Sequence, residues 1–261
     1  MSLAVLYSRA LAGMDAPPVV VEVHVGNGLP AFNLVGLAET EVKEARDRVR
    51  AALLQSGFEF PVRKITVNLA PADLPKESGR FDLPIALGLL AATGQIRGNA
   101  LDQYEFAGEL ALTGALRPVR GALAMVLNAR DSGRRFILPE DNALEAALAD
   151  RDRVLAAPSL LAVCAHLNGQ VELTCSTPAM PGQAGTYPDL ADIKGQEGPR
   201  RALEVAAAGA HSLLMTGPPG TGKSMLAQRL PGILPGMTDL EAREAAALHS
   251  LTGRFHLEQW R

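Results

Sequence analysis

The chain has 261 residues, 48% hydrophobic and 20% charged, with a formal net charge of −3. That length and composition exclude a small scaffold stapled by disulfides or metal, and also a disordered charged tail, and they fit two ordinary globular domains. The charge creates no global positive field, so contact with nucleic acid would need a local patch or an assembly of several copies.

In chain order, the N-terminus carries Arg9 within its apolar run and no basic leader, which does not read as a signal peptide. "LAVLYSRAL" and "PVVVEVHV" predict two strands joined through the Gly13 to Pro18 turn, a hairpin, because β-branched residues of the second alternate with polar ones. "AETEVKEARDRVRAALLQSG" places Val42, Ala45, Val49, Ala52 and Leu53 at helical spacing and stops at Gly57. Glu39 with Lys43, and Glu44 with Arg48, read as i,i+4 pairs on its solvated face. "RKITVNLAP" predicts a strand and "LPIALGLLAATG" a helix buried on several sides; the loop between them, "ADLPKESGRF", reads as solvated, with Lys76, Glu77, Arg80 and Asp82 as a weaker candidate surface for a partner or DNA.

"YEFAGELALTGAL" then reads as a strand or hairpin, "RGALAMVLNARDSG" as a helix ended by Gly133, and "RRFILP" as a strand. "EDNALEAALAD", "RVLAAP" and "SLLAVCAHLNG" continue as helix, strand and helix, which makes a mixed α/β domain over 1–173. Arg117, Arg120, Arg130, Arg134 and Arg135 fall close together; a solvated basic patch is the plainer reading, and a track for a phosphate backbone the sharper one. Cys164 and Cys175 form no C-x-x-C pair and the histidines form no cluster, so neither a disulfide framework nor a zinc site is expected. No apolar run of about 18 residues suggests a membrane span, and a cytoplasmic protein is the expectation. Residues 174–190, "TCSTPAMPGQAGTYP" and its flank, read as a linker.

Beyond the linker, 191–261 opens with a short loop, a helix, a buried strand "HSLLMT", a glycine-rich turn and a second helix "SMLAQRLPG". The turn meets G-x-x-x-x-G-K-[ST] at Gly217, Gly222, Lys223 and Ser224. Across Gly217, Pro218, Pro219, Gly220, Thr221, Gly222, Lys223, Ser224 and Met225 the glycines open backbone angles closed to other residues, so that amides from Pro218 to Ser224 converge on phosphate oxygens. Lys223 brings a full positive charge to the β and γ phosphates, the following helix adds the positive end of its dipole, and Ser224 offers a hydroxyl to Mg²⁺. The cofactors expected are therefore ATP and Mg²⁺.

The stretch from "LADIKGQ" through "PGILPGM" resembles the opening of the AAA+ module of magnesium-chelatase-like ATPases. "NLVGLAETEVKEARDRVRAALLQSGFEFP" with "ITVNLAPADLPKESGRFDLPIALGLLAATG" is similar to the N-terminal domain of the ComM/YifB family. The resemblance implies a first domain with the fold seen in Lon protease and in domain 2 of ribosomal protein S5, followed by a P-loop α/β domain. It also implies that Asp192 and Ile193, in "DIKGQ", lie against the adenine. For the full-length family it implies ATP-driven DNA branch migration by a hexameric ring during natural transformation. A Lon-type Ser and Lys peptidase is disfavoured, because Arg80 stands about where the Ser would be and Leu123 where the Lys would be. A motor also needs an acidic strand, a polar sensor and a neighbour's arginine, and none of these is legible after Ser224, so the chain reads as an N-terminal portion that at best binds nucleotide. A protein or metal-insertion remodeller, and a non-enzymatic docking module, remain the alternatives.

Overall fold

A computed structural model of the chain describes residues 2–36, 44–175, 187–257 and 260. They gather into two units, one holding residues 2–36, 44–175 and 243–257 with Trp260, the other residues 187–242.

The first unit is built on a seven-stranded sheet in the order β3-β4-β2-β1-β5-β8-β9. β1 (Leu3–Arg9) and β2 (Pro18–Gly26) form the expected antiparallel hairpin, with Val5 opposite Glu22 and Arg9 opposite Pro18. β3 (Ala31–Val35), which no clear sequence pattern announces, lies parallel to β4 (Lys64–Ala70). β5 (Tyr104–Phe106), β8 (Arg135–Pro139) and β9 (Val154–Ala157) continue from β1 in parallel. The short strands β6 (Glu109–Leu110) and β7 (Leu116–Arg117) pair separately. The architecture is thus mixed α/β, as expected, and its sheet is mostly parallel.

Two interior strands of the sheet show why their sequences look different. In β2, Val19, Val21, Val23 and Val25 are buried while the intervening residues are not, so one face carries the core and the run alternates. In β8, Ile137 joins the larger core and Phe136 and Leu138 a second one, so "FIL" is apolar without alternation. α1 (Ala45–Gln55) and α2 (Asp82–Ala92) cover the larger core. α1 buries Ala45, Val49, Ala52 and Leu53, the spacing read from sequence; Val42 and the Glu39–Lys43 pair lie outside the described residues, whereas Arg48 does reach Glu44 at 3.7 Å. α2 is buried on nearly all sides and approaches β2 so closely that a Cβ on Gly88 would meet Val23 Cγ2 at 2.5 Å. α3 (Ala122–Ala129), followed by a 3-10 turn ending at Gly133, and α4 (Glu140–Ala146) cover the second core, while α5 (Leu160–Leu167), capped by Ser159, returns to the larger one.

The loop before α2 corrects the sequence reading in part: Ala72, Asp73, Pro75 and Glu77 are exposed, but the segment from Gly79 to Phe81 is buried. Of the four charged candidates, Lys76, Arg80 and Asp82 are buried and only Glu77 is exposed, so they do not present a common charged surface. The Lys76 ammonium donates to the Pro71 carbonyl. Asp82 takes a bidentate pair from Arg48, 2.7 and 3.1 Å, and a bond from the Leu110 amide. Within the basic segment the side chains take separate partners: Arg117 pairs with Glu109, Arg130 donates to the Ala149 carbonyl, and Arg134 donates to the Asp102 carbonyl and stacks on Tyr7. Arg135 turns toward Cys175.

In the second unit a 3-10 turn (Leu190–Asp192) leads to α6 (Glu197–Ala208), α7 (Lys223–Ala227) and α8 (Leu230–Ile233). α9 (Asp239–Thr252) belongs to this unit up to Ala242 and to the first from Arg243. The expected buried strand "HSLLMT" is not one. Residues 211–216 make no ladder with a described strand, and Leu214 is 87% exposed. An apolar run becomes a strand only when a neighbour supplies the ladder hydrogen bonds, and none is described beside it.

Candidate phosphate-binding site

The site begins with three glycines whose backbones occupy the positive-φ region, Gly217 at 150°, Gly220 at 84° and Gly222 at 82°. A side chain is disfavoured at all three, which explains the residue type at each position of the turn. A Cβ at Gly222 would meet only the flexible end of the Gln196 side chain, at 2.8 Å, so its backbone angle is the governing reason for glycine there.

This folding leaves donors without acceptors. Among the described residues the amides of Gly220, Thr221, Gly222, Lys223, Ser224 and Met225 donate to nothing within the chain. Pro218 and Pro219 carry no N–H, so the donor run starts at Gly220 rather than at Pro218 as the motif first suggested. The Lys223 ammonium bends back over the same turn and donates to the carbonyls of Gly217 and Pro218, both at 2.8 Å, and to Thr221 Oγ1 at 3.3 Å. Thr221 Oγ1 itself donates to Pro218 O at 2.9 Å. The turn is therefore held in shape by its carbonyl side while its amide side stays open, the polarity an anion requires. Ser224 and Met225 are exposed at the start of α7.

The upstream "DIKGQ" segment is brought to the loop. Gln196 donates to the Thr221 carbonyl at 3.2 Å, and Arg229, two residues past α7, donates to the Asp189 carbonyl at 3.1 Å and reaches Asp192 at 3.8 Å. Ile193 is buried with Leu190, Leu203 and Leu226, packing the segment against α6 and α7. Asp192 is exposed. Two residues the motif did not reveal, Gln196 and Arg229, thus tie the segment to the loop. A Gln beside a helix start gave no distinct signal, because its role depends on the positive-φ backbone it adopts, φ 53°.

The donor set fits a polyphosphate: adjacent open amides, one ammonium group and a hydroxyl at a helix start. No group of three or more His, Cys, Asp or Glu placed to hold a metal occurs among the described residues, so a cation here would take Ser224 and the phosphates themselves as ligands.

Comparison with known proteins places the chain. The family described as subunit ChlI of Mg-chelatase matches residues 21–142, and that described as magnesium chelatase, subunit ChlI, matches 189–261, the stretch holding the glycine-rich turn. The uncharacterized protein YifB of Escherichia coli K12 is 52% identical over 262 residues, 100% of this chain and 52% of its own length. The competence protein ComM of Haemophilus influenzae is 52% identical over 267 residues, again 100% of this chain and 52% of its own. An uncharacterized protein of Mycobacterium tuberculosis H37Rv is 41% identical over 254 residues, 97% of this chain and 50% of its own. The chain spans about half the length of the curated relatives it matches. With likeness running through both the sheet unit and the loop unit, the chain belongs to the ComM/YifB family of magnesium-chelatase-like proteins.

Proposed function

We propose that residues 191–242 bind MgATP and that the whole protein acts as a DNA-remodelling ATPase of the ComM type. The observation supporting this is the unpartnered amide run from Gly220 to Met225 beside the Lys223 ammonium. In this reading those amides and Lys223 neutralise the β and γ phosphates, Ser224 holds Mg²⁺, and the backbone at Asp192 and Ile193 borders the adenine. Bound Mg²⁺ would offset phosphate charge and polarise the γ phosphorus toward water. Lys223 would exchange its bonds to Gly217 and Pro218 for phosphate oxygens, which favours a loop already shaped around its ammonium. The sheet unit, residues 1–173 in this division, would serve as a non-proteolytic scaffold, joined by a linker over 174–190.

The relative named for competence, with the resemblance to its family, supports a hexameric ring that moves DNA branches during transformation. The test is phosphate release by a chain that also carries the residues its relatives have beyond this region, with and without branched or single-stranded DNA. Stimulation by DNA, abolished in Lys223→Ala, is the expected result. Turnover indifferent to DNA but dependent on a protein partner would instead favour a metal-insertion or protein remodeller, the reading to which the chelatase family description points.

A further inference from the structure

A cleft of about 700 Å³ opens in the first unit between the turn after β1, the segment before α2 and the approach to α3. Arg80 lines it and is only 5% exposed. Buried charges are normally matched, and the other buried arginine of this unit obeys: Arg9 makes a two-pronged pair with Glu105 at 2.6 and 3.0 Å. Arg80 does not. Its Nε donates to Ser78 Oγ at 2.9 Å and one terminal nitrogen approaches Met125 Sδ, a weak acceptor, at 3.9 Å; neither partner carries a charge. No described carboxylate lies within ion-pair distance of it. Burial drags its pKa down to about 10, against the mild opposing influence of Glu77.

The surroundings are arranged around this uncompensated charge. Ser78, whose hydroxyl orients the guanidinium, sits at φ 65° and ψ 168°, a conformation costly for a residue with a side chain. Arg120 also lines the cleft, is exposed, and has no hydrogen bond or ion pair among the described residues. The cleft's two acids do not neutralise either arginine: Glu109 is engaged by Arg117 at 3.4 Å and Glu77 is exposed. They do oppose a ligand with several negative charges. Leu11, Val119 and Leu251 supply apolar wall.

We infer that this cleft binds the carboxylate of an organic monoanion, paired with the Arg80 guanidinium, with the apolar body of the ligand against Leu11, Val119 and Leu251. A planar fork facing a carboxylate is the geometry arginine serves best, and the ligand supplies the counter-charge the fold omits.

The probe is N-acetyl-leucine, titrated into the 261-residue chain and followed by amide chemical shifts, with N-acetyl-leucinamide as the neutral control and inorganic phosphate as the competing anion. Saturable shifts around Ser78 and Arg120 are expected with the acid, at least tenfold weaker in Arg80→Met. Because a buried charge without a counter-ion costs stability, Arg80→Met is expected to melt no lower than the parent. Arg120→Gln, on the exposed rim, should weaken binding while leaving the melting temperature alone. Equal binding of the neutral amide, undiminished binding in Arg80→Met, or tighter binding of phosphate at the same amides would each overturn the assignment. So would a large loss of stability in Arg80→Met, which would make the guanidinium a structural group. Shifts confined to Gly220–Met225 would report the phosphate loop instead and equally refute a site at Arg80.

Discussion

At the scale of single residues, the first unit depends on a few buried ionic contacts whose energetics can be read from geometry. Asp82 is fully buried, and burial outweighs the pull of Arg48 and the Leu110 amide, lifting its carboxyl to about 6. Arg48, more exposed, gains from the same bond, which raises its own pKa. Removing Arg48 leaves an uncompensated carboxyl in the core, so Arg48→Ala should cost about 3–5 kcal/mol in denaturant unfolding at neutral pH, and less below pH 6, where Asp82 takes up a proton. Glu145 accepts bonds from Asn142 at 3.1 Å and Ser250 at 3.4 Å, and burial lifts it from 4.5 to about 7. The folded chain therefore binds a proton that the unfolded chain releases above about 4.5. Its contribution is fully present below that value and is lost as pH rises to about 7. Thermal melts should show the first unit losing stability between those limits, and Glu145→Gln, which keeps an acceptor but no charge, should flatten that part of the profile.

The glycine turn was legible at this scale because its backbone requirements lie in contiguous residues, with Gly217, Gly220 and Gly222 at the positive-φ positions. The Arg80 cleft was not, since its walls come from segments as far apart as Leu11 and Leu251 and only folding reveals that a charge lacks a partner.

At the scale of elements, the alternating hairpin and the spaced apolar face of α1 were readable because each pattern reports one buried face. β3 was missed because its alternation is shallow, with no fully buried residue, and its pairing with β4 is a distant choice. The loop before α2 differs from its sequence reading because polar character does not by itself place a residue in solvent: Lys76 meets the nearby Pro71 carbonyl and Arg80 meets Ser78, while Asp82 meets a distant partner, Arg48. The opposite error occurred at residues 211–216, where an apolar run was equated with a buried strand.

The C-terminal part of α9 offers a test of packing between elements. Ala246 and Ala247 are buried in the second core, and the Gly121 amide donates to the Ser250 carbonyl at 3.3 Å. Gly121 has φ 74°, and a Cβ there would meet Leu11 Cδ1 at 2.6 Å and Leu251 Cδ2 at 2.9 Å. Gly121→Ala should therefore destabilise the first unit by about 1–2 kcal/mol from the backbone alone, and more from the clash. Limited proteolysis should then cut α9 near its end, whereas unchanged protection would show that this contact contributes little.

At the scale of the whole molecule, the two units differ in how much they bury. The first has two apolar cores on a seven-stranded sheet. The second has Leu190, Ile193, Leu203 and Leu226 fully inside, while Leu214, Leu234 and Met225 stand about half or more exposed. Local stability follows buried contacts, so amides of α6 and α7 should exchange with deuterium well before those of β2 and β4. Equal protection in both would contradict this account of the cores. The same contrast bears on function, because a loop on a small core gains rigidity from whatever it binds, and a ligand that contacts only the folded state stabilises it by mass action.

The central claim is that the open amides after Gly217 and the Lys223 ammonium form a seat for a magnesium-bound triphosphate. Calorimetry of the parent chain and of Lys223→Ala against MgATP tests it most directly. The account predicts a saturable heat in the parent, with affinity reduced tenfold or more when the ammonium is removed; identical affinity in the two proteins, or no heat from either while both remain folded, would contradict it.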